Sequence, residues 1–202
     1  NEYFEGANEK ETDNAENQAQ SDTERTAEST GEATQNTAPT SEASTQPEKK
    51  VLRTAIVYSP VTGIAADLST APDEGFAEGM MGEGAVVTPK DPVICAPEDG
   101  EVEFIFDTKH AIGLATESGL ELLIHIGVDT VELGGKFYTA HVKDGDVVKK
   151  GQTLITFDMD AIKAAGYDVT TPLIVTNTDD YEEVKMLAEG TVNNGSEVLE
   201  VK

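Results

Sequence analysis

Apolar residues come in short bursts along this chain, and they begin late. Residues 1–50 hold no Val, Ile, Leu, Met or Cys and read mostly as Glu, Asn, Gln, Thr, Ser and Ala. From Val51 onward, short runs rich in β-branched and aromatic side chains are separated by turn signals. The runs Leu52–Val57, Ile64–Asp67, Ala85–Thr88, Pro92–Cys95 and Glu101–Phe106 predict strands. So do Ala111–Thr116, Leu120–Ile126, Phe137–His141, Thr153–Phe157, Leu173–Thr176, Val184–Ala188 and Glu197–Val201. Breakers such as Ala71-Pro72-Asp73, Gly82-Glu83-Gly84 and Pro97-Glu98-Asp99-Gly100 punctuate them. Only Asp160–Ala165 reads as a helix, with Asp158 or Asp160 as its cap and Gly166 as its stop. Short strands at this spacing predict an all-β sandwich or barrel-like domain.

Composition divides the chain in two. The first fifty residues cannot bury enough apolar surface to offset their chain entropy, so 1–50 is expected to be a disordered acidic linker. Residues 51–202 suffice for one domain with its own core. The formal net charge of −25 excludes a nucleic-acid binder, which needs clustered Lys and Arg on phosphates, and suits basic protein partners. The single cysteine, Cys95, lies in an apolar run, is expected to be buried, and allows no intrachain disulfide. No run has the length of a membrane span and no signal peptide is visible. The chain begins at Asn1, which suggests a piece cut from something longer.

Two of the three histidines fall on one expected hairpin, T-K-H-A-I-G-L-A-T-E-S-G-L-E-L-L-I-H. If Ser118-Gly119 form a two-residue turn, His125 lies opposite Ile112 and His110 opposite Gly127. The imidazoles then become diagonal neighbours on one face, roughly 7–8 Å apart at the backbone. A small anion such as phosphate fits between them. This register puts Leu122, Ile124 and Ile126 in the core with Ala111, Gly113 and Ala115. It leaves Glu121, Leu123 and His125 on the other face with His110, Ile112 and Leu114, so the histidines share an apolar patch. A turn of odd length would part them.

A histidine in such a patch can serve as general base, metal ligand or phosphoryl carrier. No G-x-S-x-G elbow supports a serine hydrolase. A catalytic zinc would need His110, His125 and either His141 or a carboxylate such as Asp129, four residues beyond His125.

The stretch Leu123-Ile124-His125-Ile126-Gly127-Val128-Asp129-Thr130-Val131-Glu132-Leu133 strongly resembles the phosphorylation-site motif of glucose-type IIA domains. These belong to the phosphoenolpyruvate-dependent sugar phosphotransferase system. Supporting stretches in order are Ser59-Pro60-Val61-Thr62-Gly63, Phe76-Ala77-Glu78, Ala96-Pro97-Glu98-Asp99-Gly100, Thr108-Lys109-His110-Ala111, Thr171-Pro172 and Gly190-Thr191-Val192. The resemblance covers residues 54–202 and implies an antiparallel β-sandwich, or flattened barrel, with one or two short helices. It implies that His125 takes a phosphoryl group from the carrier protein HPr and passes it to a IIB-domain cysteine, without metal or cofactor. It further implies that His110 hydrogen-bonds the phosphate, that Thr108 steadies the site, and that Asp73 and Asp129 flank it. Phe76, Met80 and Met81 match an apolar rim that meets partners. The family's T-N-H is Thr108-Lys109-His110 here, its G-D-G is Gly82-Glu83-Gly84, and Gly75 replaces a bulkier rim residue. His141 matches no family site. Val147–Gln152 resembles the turn of biotinyl and lipoyl carriers, but Asp160-Ala161-Ile162-Lys163 is a poor match to their lysine hairpin.

A fifty-residue linker would span roughly 40 Å root-mean-square and hold the domain near its acceptor at an effective concentration of about millimolar. The expected setting is cytoplasmic, tethered to a membrane transporter upstream. One such fusion partner is a IIB domain with its permease. The alternative is a sugar symporter that the IIA-like domain regulates.

Overall fold

In the computed structural model, residues 54–202 are described. The expected linker over 1–50 and the start of the strand predicted at Leu52 lie outside them. The strands are β1 (Ala55–Tyr58), β2 (Gly63–Asp67), β3 (Glu83–Pro89), β4 (Val93–Cys95) and β5 (Gly100–Ile105). They continue with β6 (Ala111–Thr116), β7 (Glu121–His125), β8 (Tyr138–Ala140), β9 (Val147–Val148) and β10 (Thr153–Phe157). The last four are β11 (Thr171–Val175), β12 (Val184–Met186), β13 (Gly190–Val192) and β14 (Glu197–Val201). Two short helices, α1 (Glu74–Ala77) and α2 (Met159–Ala164), join them.

Among the described residues every strand pairing is antiparallel. One large sheet runs β13-β2-β3-β11-β7-β6-β5-β9, and two small ones run β1-β14-β12 and β4-β10-β8. The all-β sandwich expected from the sequence is therefore the fold observed. Alternating strand residues such as Val57, Ala85, Val87, Leu122, Ile124, Leu173 and Val175 supply the main core. On the opposite face of the large sheet, Leu68, Phe76, Val86, Ala111, Leu123 and Ile174 form a second, smaller apolar cluster. His125 rises beside this satellite.

Asp158 caps α2 by accepting from the Ala161 N–H at 2.9 Å, and Gly166 follows the helix at φ +93°, as the sequence suggested. The one or two short helices that the resemblance implies are two, but the residue pattern did not place α1, because Ala71-Pro72-Asp73 reads as a plain turn. Asp73 in fact accepts from the Phe76 N–H at 3.1 Å and caps a helix of only four residues, too short for any periodicity to reveal. The two-residue β9 and three-residue β13 escape prediction for the same reason. Cys95 is buried, as expected.

The β6–β7 hairpin departs from its predicted register by one residue. Ala111 pairs with His125, Ile112 with Ile124, and Leu114 with Leu122. The turn holds three residues, Glu117 to Gly119: the Thr116 N–H donates to the Leu120 carbonyl at 2.9 Å, and Gly119 takes φ +93°. A slip of one flips a strand's faces. Ile112 and Leu114 thus join Leu122 and Ile124 in the core, while the small Ala111 and Gly113 lie on the His125 side. The bulky side chains fill the interior, and the side that must leave room for aromatic rings gets the small ones.

Candidate functional site

His125 ends β7 and points away from the main core with Leu123 and Ala111. His110 immediately precedes β6, opposite Ile126, whose N–H it receives on its carbonyl at 2.6 Å. Strict alternation from β6 would turn its side chain inward with Ile112. A bend prevents this: Lys109 adopts φ +56°, and its N–H closes onto the Phe106 carbonyl at 2.7 Å. The two rings consequently meet edge to face, centroids 4.7 Å apart at 81°. The expected adjacency of the histidines holds, although the turn is of the odd length that was expected to part them. The local left-handed bend, not the ladder, brings His110 round.

Each ring has one nitrogen committed. His125 Nδ1–H donates to the Gly127 carbonyl at 2.7 Å, and since a carbonyl only accepts, the Nε2 of the neutral ring keeps its lone pair. Thr108 Oγ1 lies 2.6 Å from His110 Nδ1. With the hydroxyl donating, the His110 Nε2–H is free to donate elsewhere. Phe76 packs on the His125 ring at 5.0 Å and Phe106 on the His110 ring at 5.4 Å, so each imidazole has an aromatic wall.

Burial keeps both rings neutral. His110 is 4% exposed, and desolvation, with the neighbouring His125 as a lesser cause, pushes its pKa down from 6.5 to about 4. Desolvation also lowers His125, opposed by its bond to Gly127 and by the negative charges of Asp73 and Asp129. The pair is therefore two neutral imidazoles, one with a bare Nε2 lone pair and the other with a free Nε2–H.

Of the other residues singled out in the sequence, Asp73 and Asp129 are close enough to act on His125 electrostatically. Asp129 sits at φ +57° just after the Gly127 turn. Met80 is 76% exposed and Met81 is also exposed. Phe76 is 8% exposed and braces His125 instead of facing outward. His141 stands apart, bonded to Thr156 Oγ1 at 2.8 Å. Among the described residues no group of three or more His, Cys, Asp or Glu is placed to hold a metal ion.

The sequence reading missed two aromatics. Phe104 and Phe106, both exposed, pack edge to face at 5.6 Å and extend the apolar surface outward from His110. Phe104 lies over Gly113, where a Cβ would come within 2.3 Å of its ring. The apolar alternation of 102, 104 and 106 would have placed both in the core with Val102. A bulge between Val102 and Phe104 turns the strand over instead.

The family model described as phosphoenolpyruvate-dependent sugar phosphotransferase system, EIIA 1, matches residues 55–181. The PTS system glucose-specific EIIA component of Oceanobacillus iheyensis is 46% identical over 146 residues, covering 72% of this chain and 88% of that protein. The PTS system beta-glucoside-specific EIIBCA component of Dickeya chrysanthemi is 46% identical over 151 residues, 75% of this chain but 24% of that protein. The chain thus spans about a quarter of the EIIBCA relatives it matches. Among solved structures, glucose permease IIA from Mycoplasma capricolum superimposes with a TM-score of 0.68 at 32% identity, over 74% of this chain and 96% of that one. Motif, fold and relatives agree, and the chain belongs to the EIIA 1 family of the phosphoenolpyruvate-dependent sugar phosphotransferase system.

Proposed function

We propose that this domain is a phosphoryl carrier whose acceptor atom is His125 Nε2, charged by phospho-HPr and discharged onto a IIB-domain cysteine. The observation that carries the reading is the pair of neutral rings at 4.7 Å, with His125 Nδ1 committed to Gly127. The Nε2 lone pair attacks phosphorus in line. A new N–P bond forms as the donor's N–P bond breaks, and that electron pair returns to the donor imidazole. The proton on Nδ1 stays where the Gly127 carbonyl holds it, so the leaving group of the next step is again a neutral imidazole. His110, its Nδ1 filled by the Thr108 hydroxyl, gives its Nε2–H to a phosphoryl oxygen. Asp73 and Asp129 do not stabilise the dianion; they attract a basic partner that brings positive charge with it. Met80 and Met81 on one side, and Phe104 and Phe106 on the other, offer that partner apolar contact.

The EIIBCA relatives support a IIB domain in the same polypeptide over a symporter fusion, with residues 1–50 as the interdomain linker and the domain on the cytoplasmic side. Among the described residues no helix is long and apolar enough to cross a membrane. Sharp, dispersed amide signals from 1–50 in an NMR spectrum would speak against the linker.

The test is incubation with phosphoenolpyruvate, the first transfer enzyme and HPr, followed by mass spectrometry. One acid-labile, base-stable phosphate should appear on His125 and be absent from His125→Gln. The His110→Gln variant should still accept phosphate but pass it on poorly. Phosphate on any other residue, or none, would overturn the assignment of His125; undiminished onward transfer by His110→Gln would remove His110 from the mechanism.

A further inference from the structure

The carbonyl that fixes the His125 proton belongs to a glycine, the residue least able to hold a peptide plane by itself. Gly127 sits at φ +84°, where its backbone has wide freedom. Both of its peptide planes are nevertheless pinned. Beyond it, the Val128 N–H donates to the Asp168 carbonyl at 3.0 Å. Before it, the Ile126 carbonyl receives two buried hydroxyls, Thr130 Oγ1 at 2.8 Å and Tyr138 OH at 3.0 Å. Thr130 also fills the space beside the glycine: a Cβ on Gly127 would stand 2.5 Å from its Cγ2.

From this we infer that Thr130 and Tyr138 are positioning residues for phosphoryl transfer: their hydroxyls, converging on the Ile126 carbonyl, hold the Gly127 turn in the one orientation that keeps the His125 proton on Nδ1. Neither touches the reacting atoms. The inference rests on the reading of His125 Nε2 as the acceptor and adds how that nitrogen is kept bare. An imidazole side chain in water favours the opposite tautomer, with the proton on Nε2, which would blunt the nucleophile. Packing alone does not call for these hydroxyls. Tyr138 stacks on Phe157 at 24°, and a phenylalanine would stack equally well. A valine has the shape of Thr130. Burial pushes the Tyr138 phenol above its ordinary range, so it remains a donor at working pH.

The ring nitrogens of His125 report the tautomer directly in a long-range proton–nitrogen NMR spectrum of the whole, unphosphorylated chain labelled with ¹⁵N-histidine. The wild-type spectrum should show Nδ1–H. Each of Thr130→Val and Tyr138→Phe should lower the ratio of Nδ1–H to Nε2–H roughly fivefold, the weight of one hydrogen bond, and the rate of phosphorylation by phospho-HPr should fall in proportion to the Nδ1–H fraction that remains. The double variant should fall further, and Thr130→Ser should restore both readouts. Variants that melt earlier but keep the wild-type tautomer would reduce the hydroxyls to structural roles and overturn the inference. Should the double variant fail to fold, Tyr138→Phe, with its ring still stacked, carries the measurement. The spectrum needs no phosphate, so a His125 that is never phosphorylated would defeat the acceptor assignment while leaving the positioning of the proton to be read separately.

Discussion

Replacing His110 by Gln should flatten the acid side of this protein's stability profile, by an amount the burial of the ring fixes. Folded His110 has a pKa of about 4 against 6.5 for the same ring in the unfolded chain. Above pH 6.5 both states hold it neutral, and it adds no pH dependence. Below 6.5 the unfolded chain takes up a proton that the folded chain refuses, so stability declines as pH falls and the loss is complete once pH has dropped through about 4. At 1.36 kcal/mol per pH unit, that window amounts to roughly 3 kcal/mol. His125, also lowered by burial, contributes in the same direction. The carboxylates titrate in both proteins and cancel in the comparison. Urea unfolding of wild type and His110→Gln at intervals from pH 7.5 to 4 measures the effect, and the Gln variant should lose roughly 3 kcal/mol less than wild type over that range. Parallel curves, or a His110 Cε1 proton titrating near 6.5 in the folded protein, would refute the claim that desolvation governs this ring.

Four further substitutions, at three positions, probe the devices around the pair. Gly127→Ala forces a Cβ to 2.5 Å from Thr130 and 2.7 Å from the Asp168 carbonyl at a positive φ; it should cost at least about 2 kcal/mol by urea unfolding and abolish phosphorylation of His125. Asp73→Asn keeps a capping oxygen but removes the charge, so an NMR titration should find the His125 pKa lower still with the unfolding midpoint nearly unchanged, whereas Asp73→Ala should also lose about 1 kcal/mol of cap. Lys109→Asn, which restores a residue tolerant of φ +56°, should stabilise the domain by about 0.5–1 kcal/mol in the same unfolding assay.

The architecture and the nearness of the two histidines were legible in the sequence, because both rest on signals repeated many times: alternating strands, punctuated turns, and a motif of eleven consecutive residues. What escaped was anything decided by a single residue's backbone. The Glu117–Gly119 turn takes three residues where Ser118-Gly119 read as two, since the text alone does not say which residue before a glycine closes the ladder. The assignment of Ile112 and Leu114 fell with it. The bulge that turns Phe104 outward left no mark in the apolar pattern. The placement of Phe76 beneath His125 depends on a four-residue helix whose only advance notice was Asp73. Tyr138 looked like an ordinary strand residue, and Thr130 stood in the motif without a role of its own, until their hydroxyls were seen to share one carbonyl.

The left-handed bend at Lys109 has a bearing beyond this molecule's own strain. One imidazole is set by the pleat of a central strand, while the side chain of the other is aimed by a left-handed bend one residue before its own place beside Ile126. Their gap is consequently a local, tunable dimension. Substitutions at Asp107 or Lys109, which spare the Thr108 hydroxyl, would act on that gap while the sandwich behind stays as it is, giving evolution or an engineer a way to retune the spacing of the pair without rebuilding the scaffold.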